Sequence, residues 1–401
     1  MTDHSDDFRR LADLLVGFGS NIQPGDVLGV SSYLGMEELT RAIARAGYQR
    51  GAKWVDILWF DPFVKRERLL HADESTLDYV PPWMGQRALW LSEAHAARVS
   101  LTGADPRAYE GLDPARTGKD VMPYIKEVPV IVNDRTTSWC AGPCPTEGWA
   151  QLVHPTLSPD EAYEKLWEQI TWVCRLDTDD PIGAWEERMK VIVDSAERLT
   201  AHRFDAIHLK ARNGTDLTVG LLPSSKWLGA EFTTVDGRTH YPNLPTEEVF
   251  TTPDPERVDG TVVATMPLDF YGSRIEGIRL RFEGGRAVEI DADKGADSLR
   301  SIASKDDGAN RLGELALVDR QGRIGPLKTI FYETLLDENA ASHIALGNAY
   351  SFPVEDEADV ARINQSGIHV DFMIGTDEME VDGIAKDGTR TPLLRGGEWQ
   401  L

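Results

Sequence analysis

The chain has 401 residues, long enough for two or more domains, and its 41% hydrophobic and 27% charged residues are ordinary for a globular protein. A formal net charge of −24 repels phosphate backbones, so we expect no nucleic-acid partner. No stretch approaches about 18 uninterrupted apolar residues, so we expect no membrane-spanning segment.

The first half of the sequence alternates helix and strand patterns. Residues 1–7 have neither a basic start nor an apolar stretch, so we expect no secretory signal. In chain order, apolar spacing then predicts a helix over 8–18, a strand over 27–30, a helix that begins at 39 and ends near 51, a strand over 54–60, a helix over 89–97 and strands over 98–102 and 128–132. This alternation is typical of a parallel α/β sheet. Because Gly29 does not open a G-x-G-x-x-G run, no dinucleotide site is predicted.

The cysteines indicate a reducing compartment. There are three, and an odd, small number argues against a disulfide framework. Cys140 and Cys144 have a C-x-x-x-C spacing, but no second pair would complete a thiolate zinc site. We therefore expect a cytoplasmic protein whose cysteines are buried or loop thiols.

Two helices follow, and the pattern then becomes rich in strands. Residues 158–161 (SPDE) and Asp180-Pro181 have the chemistry of helix starts. Further along, a turn at 213–216 separates two alternating runs and predicts a hairpin, and more strands are predicted over 261–264, 278–282 and 287–290. We expect an α/β domain over 1–205 and a β-rich α+β domain over 206–401 that carries the metal site.

Two histidines near the C-terminus stand beside carboxylates. His369 and Asp371 are two positions apart in an apolar run, so on a strand both side chains leave the same face and can share one metal ion. Glu338 and His343 lie within 337–343 (DENAASH), where the spacing fits a turn or an irregular helix start. These residue types can together hold a divalent metal.

Further carboxylates precede them in the chain. Glu314 lies among small and apolar residues, where a charge is costly unless it is paired or bound to metal. Glu247 and Glu248 follow 243–246 (NLPT), a pattern that also fits a solvated helix start. A catalytic zinc takes about three protein ligands, so two histidines and at least four carboxylates suit two ions that share a bridging carboxylate.

These segments resemble the metal-dependent aminopeptidase family that includes aminopeptidases T and S and PepS. The likeness covers nearly the whole chain and is most specific after residue 210. The matching runs are 243–250 (NLPTEEVF), 311–316 (RLGELA), 334–340 (TLLDENA), 343–350 (HIALGNAY) and 367–375 (GIHVDFMIG), extended by 145–150 and 214–219. The run 139–144 (WCAGPC) departs from the family, which more often has apolar residues there, and this departure leaves the metal set intact.

The resemblance implies a hydrolase, a metalloaminopeptidase with two divalent ions per chain, for which zinc, cobalt and manganese are all suitable. The metal ligands would be Glu248, Glu314, Glu338, His343, His369 and Asp371, with Glu314 as the bridge. Glu248 is chosen over Glu247 because the residue before Val-Phe holds the family position. It also implies short peptide substrates and a homodimer whose sites face an internal cavity.

The implied catalytic groups are Glu314, Glu248 and Tyr350. A glutamate, Glu314 or Glu248, would carry the proton from the attacking water to the leaving amine. Tyr350 matches a tyrosine near the active centre of the family, and its phenol can donate to the oxyanion.

Two other interpretations stay open at this point. His343, His369 and Asp371 alone can hold non-heme Fe(II) for ring-cleaving dioxygenation, which leaves the glutamates without a task. A non-catalytic binding protein on the same scaffold is the third, and the complete ligand set argues against it.

Overall fold

The computed structural model describes residues 4–120, 122, 125–229, 231–270 and 273–401. The chain forms two compact units, the first made of residues 1–187 and 231–245 and the second of residues 188–230 and 246–401. The units therefore interleave along the chain. The contiguous domains expected over 1–205 and 206–401 stay a prediction.

The helices in chain order are α1 (Ser5–Asp13), α2 (Glu37–Gln49), α3 (Pro62–His71), α4 (Pro82–Glu93), α5 (Pro114–Thr117), α6 (Glu127–Asn133), α7 (Glu147–Val153), α8 (Pro159–Val173), α9 (Pro181–His202), α10 (Ala296–Ala303), α11 (Thr334–Glu338) and α12 (Glu357–Val360). Within the described parts of the chain, no helix is both long enough and apolar enough to cross a membrane.

The strands in chain order are β1 (Val27–Tyr33), β2 (Trp54–Phe60), β3 (Ala97–Thr102), β4 (Ser138–Pro143), β5 (Ala206–Lys210), β6 (Asp216–Leu221), β7 (Phe232–Thr233), β8 (Thr239–His240), β9 (Glu248–Thr251), β10 (Pro253–Val263), β11 (Leu268–Phe270), β12 (Ser273–Ile275), β13 (Arg279–Glu283), β14 (Arg286–Asp291), β15 (Leu312–Val318), β16 (His343–Gly347), β17 (His369–Met373), β18 (Glu380–Ile384), β19 (Arg390–Arg395) and β20 (Glu398–Trp399).

A parallel four-stranded sheet forms the centre of the first unit. Its strand order is β2-β1-β3-β4, and each neighbouring pair is parallel. The central strand β1 begins with four buried residues, as expected when helices cover both faces of a sheet. The predicted N-terminal α/β fold with a parallel sheet is confirmed.

Two elements of the first unit differ from the prediction. The apolar run 128–132, predicted as a strand, lies in helix α6, whose Ile131 packs with Met84 and Ala88. Position 129 falls in the first turn, where a helix needs no backbone donor, so proline is tolerated there. The fourth strand is instead β4, and the helix predicted over 89–97 is α4, which ends at Glu93.

The second unit is built from antiparallel sheets. Its large sheet has eight strands in the order β14-β13-β10-β6-β5-β18-β19-β20, and it includes the predicted hairpin β5–β6. A smaller sheet has the order β17-β16-β15-β9. All seven residues of β15 are buried, which places this strand in the core of the unit. The predicted β-rich α+β fold is confirmed.

Candidate metal centre

Five of the six predicted ligands lie on one face of the small antiparallel sheet. Glu314 of β15 pairs with Ala345 of β16, and Ala345 pairs in turn with Asp371 of β17. Directly opposed residues in antiparallel strands project to the same side, and so do residues two apart on one strand. His343, His369 and Glu248 therefore belong to that face as well, since their partners or strand neighbours do.

Small residues leave room for the donors on this face. Ala316 pairs with His343, and Ala345 lies between Glu314 and Asp371. Both alanines are fully buried. The register of β15 shifts between Leu312 and Glu314, and a bulge of this kind redirects the side chains next to it.

Glu314 faces both histidines, one with each carboxylate oxygen. Its Oε1 lies 3.6 Å from Nε2 of His343, and its Oε2 lies 3.7 Å from Nε2 of His369. Each histidine has a second carboxylate: His343 Nε2 is 3.1 Å from Glu248 Oε2, and His369 Nε2 is 3.4 Å from Asp371 Oδ1. Donor atoms of Glu248, Glu314 and His343 all lie within 4.8 Å of one another.

The sixth predicted ligand, Glu338, is the last residue of helix α11. The preceding residue, Asp337, is buried and accepts the backbone N–H groups of Phe331 (2.8 Å) and Glu333 (3.3 Å). Burial and the negative charges of Asp371 and Glu248 raise the pKa of Glu338 well above its usual range. Glu338 is thus subject to the charges of the sheet donors, although it is not one of the three residues whose donor atoms lie within 4.8 Å of one another.

Both histidine rings are oriented by backbone carbonyls. Nδ1 of His343 lies 3.2 Å from the carbonyl oxygen of Ala341, and Nδ1 of His369 lies 2.8 Å from that of Asn348. When Nδ1 donates to a carbonyl, the lone pair of Nε2 is directed toward the carboxylates, which is the usual arrangement around a bound metal. Gly347 has φ of 103°, a conformation that favours glycine, just before Asn348.

The charges in this cluster shift the pKa values of both histidines and of Asp371. Burial disfavours the charged form of His369, but the charge and hydrogen bond of Asp371 outweigh it and raise the pKa to about 10. The pKa of His343 is likewise raised, because its contact with Glu248 overcomes the effect of burial. Burial raises the pKa of Glu314, whereas the charge of His369 lowers that of Asp371 against the effect of its burial.

These residues fit divalent cations. Four carboxylates this close together cannot all be ionised in a buried site without cations to balance them. Oε2 of Glu248 is buried and has no hydrogen-bond partner among the described residues, although it lies 3.1 Å from His343. An oxygen and nitrogen donor set of this composition suits zinc, cobalt or manganese.

An aromatic cluster borders the donors. The ring of Tyr350 is centred 5.7 Å from that of His369 and 4.9 Å from that of Phe352. Phe250 makes edge contacts with both Tyr350 and Phe352, each at 6.3 Å. Burial, reinforced by the charges of the surrounding carboxylates, raises the pKa of Tyr350, so the phenol keeps its proton and can donate it.

The two adjacent glutamates have different surroundings. Glu248 faces His343, whereas the carboxylate of Glu247 accepts from Nε of Arg188 at 2.5 Å. Arg188 also donates to both oxygens of Asp319, and Asn339 Oδ1 accepts the N–H of Glu247. Arg188, Asp319 and Asn339 are not among the site residues predicted from the sequence. The only signal was the place of Asn339 directly after Glu338, since the other partners are distant in the sequence.

The first unit also contains a cavity of about 440 Å³. Its lining includes four carboxylates, those of Asp61, Asp105, Glu147 and Asp160. None of the six predicted ligands lines it.

Comparison with known proteins identifies close relatives over the full length. The chain matches the family described as thermophilic metalloprotease (M29) over residues 4–399. It is 39% identical to aminopeptidase T of Thermus aquaticus over all of both chains, and 41% identical to aminopeptidase T of Thermus thermophilus over 97% of each. Aminopeptidase PepS of Streptococcus thermophilus is 37% identical over all of both chains.

Two solved structures are similar to this one. Wild-type AmpT from Thermus thermophilus superimposes with a TM-score of 0.92 at 40% identity, over 99% of this chain and all of that one. The 2,5-dihydroxypyridine dioxygenase of Pseudomonas putida KT2440 has a TM-score of 0.55 at 13% identity, over 98% of this chain and 97% of that one. The second likeness concerns the fold alone.

Proposed function

The chain belongs to the thermophilic metalloprotease (M29) family, and from this premise we propose that it releases N-terminal residues from short peptides at a centre that holds two divalent metal ions. Family and relatives make it a hydrolase, a metallopeptidase of the aminopeptidase class.

The position of Glu314 is the observation that carries the two-ion proposal. One of its oxygens faces His343, which contacts Glu248, and the other faces His369, which contacts Asp371. A carboxylate between two nitrogen donors, each with a further carboxylate, provides two adjacent sets of ligands. Glu248 and His343 would hold one ion, His369 and Asp371 the other, and Glu314 would bridge them, with Glu338 completing the set.

When bound, two such ions lower the pKa of a water molecule and polarise the scissile carbonyl. Glu248 or Glu314 would accept the proton of the attacking water at a carboxylate oxygen and return it to the leaving amine as the peptide C–N bond breaks. The phenol of Tyr350 donates a hydrogen bond to the oxyanion that develops on the carbonyl oxygen. The products are a free amino acid and a peptide shortened by one residue.

The dioxygenase alternative is not favoured. A site made of His343, His369 and one carboxylate would leave Glu248, Glu314 and Glu338 buried or half-buried without a role. The structural likeness to a dioxygenase is at 13% identity and carries no statement about activity. A non-catalytic binding protein fits poorly with a complete donor set.

Chelation and metal add-back on one preparation test the proposal. We expect exhaustive chelation to abolish hydrolysis of leucyl and arginyl amides, and zinc, cobalt or manganese to restore it as the metal content reaches two ions per chain. Full activity after complete metal removal would refute the metal-dependent mechanism. A preparation that binds one iron per chain and does not hydrolyse these amides would support the dioxygenase-type site instead.

The Glu314→Gln variant tests the bridge in the same assay. We expect it to lose one or both ions and at least about 100-fold in kcat/KM, because the amide is neutral and a poorer bridging ligand. Glu168→Gln is the matched control, since Glu168 is an exposed residue of helix α8 that pairs with Lys165.

A further inference from the structure

Asn339 connects the two elements that carry the ligands Glu248 and Glu338. We propose that it is a positioning residue that sets the separation of these two carboxylates and thereby the affinity of the centre for metal. The inference rests on the proposed function, because it concerns the proposed ligands.

The side-chain amide of Asn339 bonds to both elements. Its Oδ1 accepts the backbone N–H of Glu247 at 2.7 Å, directly before strand β9 and Glu248. Its Nδ2 donates to the carbonyl of Leu335 at 2.9 Å, inside the helix that ends at Glu338. Nδ2 also lies 3.5 Å from Oε1 of Glu338 itself. One fully buried side chain thus joins the start of β9 to the end of α11.

The residue that Asn339 holds is fixed a second time through its own carboxylate. Glu247 accepts from Nε of Arg188 at 2.5 Å and from the backbone N–H of Arg323 at 3.2 Å. Arg188 donates to Asp319 at 3.0 and 3.1 Å, directly after strand β15, which carries Glu314. Trp399 Nε1 completes the network with a 2.9 Å bond to Asp319.

This network is buried and its polar groups are paired. The side chains of Arg188, Glu247 and Asp319 are each 5% exposed or less. A buried charge network that is fully hydrogen-bonded resists displacement, because breaking any bond strands a charge away from water. These hydrogen bonds therefore fix the position of Glu247. The bonds of Asn339 to Glu247 and to Leu335 then fix helix α11 relative to it.

The side-chain amide of Asn339 suits both of its bonds. The partners are a backbone N–H and a backbone carbonyl, so the side chain must accept at one atom and donate at the other. Aspartate has the same shape but no donor, so it would oppose the carbonyl of Leu335 and add a negative charge beside Glu338. Alanine would leave both backbone groups without this partner.

Metal affinity of the Asn339→Ala and Asn339→Asp variants tests the inference. We expect each folded variant to bind Zn²⁺ about 10–100-fold more weakly than the parent in a chelator competition, the range typical of outer-shell substitutions. The visible spectrum of the Co²⁺-loaded protein should also change, because it reports ligand geometry. Asn339→Asp keeps the volume and serves if Asn339→Ala does not fold.

Two comparisons separate a specific effect of Asn339 on metal binding from a general loss of stability and from a failure of the proposed function. Gln169→Ala removes another buried amide, which contacts His154 in the first unit, and should lower thermal stability with unchanged Zn²⁺ affinity. Folded Asn339 variants with parental Zn²⁺ affinity and an unchanged Co²⁺ spectrum would overturn the inference alone. If the parent does not bind two ions, or Glu314→Gln binds them as the parent does, the proposed function itself fails.

Discussion

Glu314 shows how a buried carboxylate can be both costly and useful. It is 6% exposed and lies in an otherwise apolar strand, where an isolated charge would be strongly unfavourable. Two histidines compensate for it, and each of them has another carboxylate as a partner. The cluster therefore has more negative groups than positive ones, which favours cations as the missing component.

Tyr350 offers a test of catalysis that leaves the ligands in place. We expect Tyr350→Phe to lower kcat about 10²–10³-fold with little change in KM or metal content, because the phenol acts on the charge that develops in the transition state. Steady-state kinetics on leucyl amides and metal analysis measure both quantities. An unchanged kcat would remove Tyr350 from the mechanism and leave its aromatic contacts as its role.

At the scale of single residues, the sequence singled out polar side chains that the small sheet brings together, but not the residues that support them. The pattern His369-x-Asp371 follows directly from strand periodicity, and strand β17 confirms that both residues lie on one strand. Glu247 and Glu248 could be told apart only through the resemblance, because their different neighbours come from distant segments. Arg188 is 59 positions from Glu247 and Asn339 is 92, and no local pattern predicts such pairs.

At the scale of elements, the small sheet fixes the site through register. Glu314, Ala345 and Asp371 occupy opposed positions on three successive strands, so a slip of one residue would send a donor to the other face. The alanine between them is fully buried, and a larger side chain there would fill the space between the donors.

Ala345→Val tests the role of that space. We expect the substitution to overpack the sheet face, to destabilise the protein by about 1–3 kcal/mol and to weaken metal binding, because the added methyl groups point toward the donors. Ala162→Val is the control, since Ala162 is equally buried in helix α8 of the first unit. Chemical unfolding and chelator competition measure both effects. Equal metal affinity in the two variants would show that the alanine is not needed for the site.

His240 of strand β8, which contacts the backbone of Trp139 in strand β4, is kept neutral in the folded protein. Burial, with added repulsion from Arg98 and Arg238, lowers the pKa of His240 to about 4 against the favourable contact with the Trp139 backbone. The unfolded chain then binds a proton below about pH 6.5 that the folded chain refuses until about pH 4. Stability contributed by neutral His240 is therefore present above pH 6.5 and is lost as the pH falls through this window.

On acidification, the His240→Asn variant should lose less of its unfolding free energy than the parent. We expect the parent to lose about 3 kcal/mol more of its unfolding free energy than the variant between pH 7 and pH 4, as the pKa difference implies. Urea unfolding of chelated samples of both proteins measures this. Parallel stability profiles would contradict a neutral buried histidine.

The wrong prediction of a strand over 128–132 has a physical cause. The run 128–132 is apolar and contains valine and isoleucine, so propensity favours a strand, yet packing of Ile131 against Met84 and Ala88 places it in a helix. Helix α8 was predicted correctly, because its capping box at Ser158 and Glu161 is local. A helix start that depends on neighbouring residues can be predicted from the sequence, whereas packing between distant segments cannot.

At the scale of the whole molecule, the acidic surface and the expected homodimer are linked. The chain carries a net charge of −24, which opposes self-association unless apolar area compensates. The first unit has large apolar side chains that are more than half exposed, among them Trp54, Tyr79 and Trp83. Such side chains favour burial against another protein surface.

Sedimentation analysis tests the homodimer proposed here from the family resemblance. We expect twice the mass of the chain at micromolar concentration and in moderate salt, which screens the acidic charge. A single-chain mass over the same range would contradict the dimer and, with it, the enclosed cavity that would restrict entry to short peptides.

Anomalous diffraction from crystals grown with zinc tests the central claim most directly. The account predicts two peaks in each chain, roughly 3.5–4 Å apart, with a Glu314 oxygen bound at each and with Glu248, Glu338, His343, His369 and Asp371 distributed around them. A single peak, or two peaks with Glu248 or Glu338 outside coordinating distance, would contradict it.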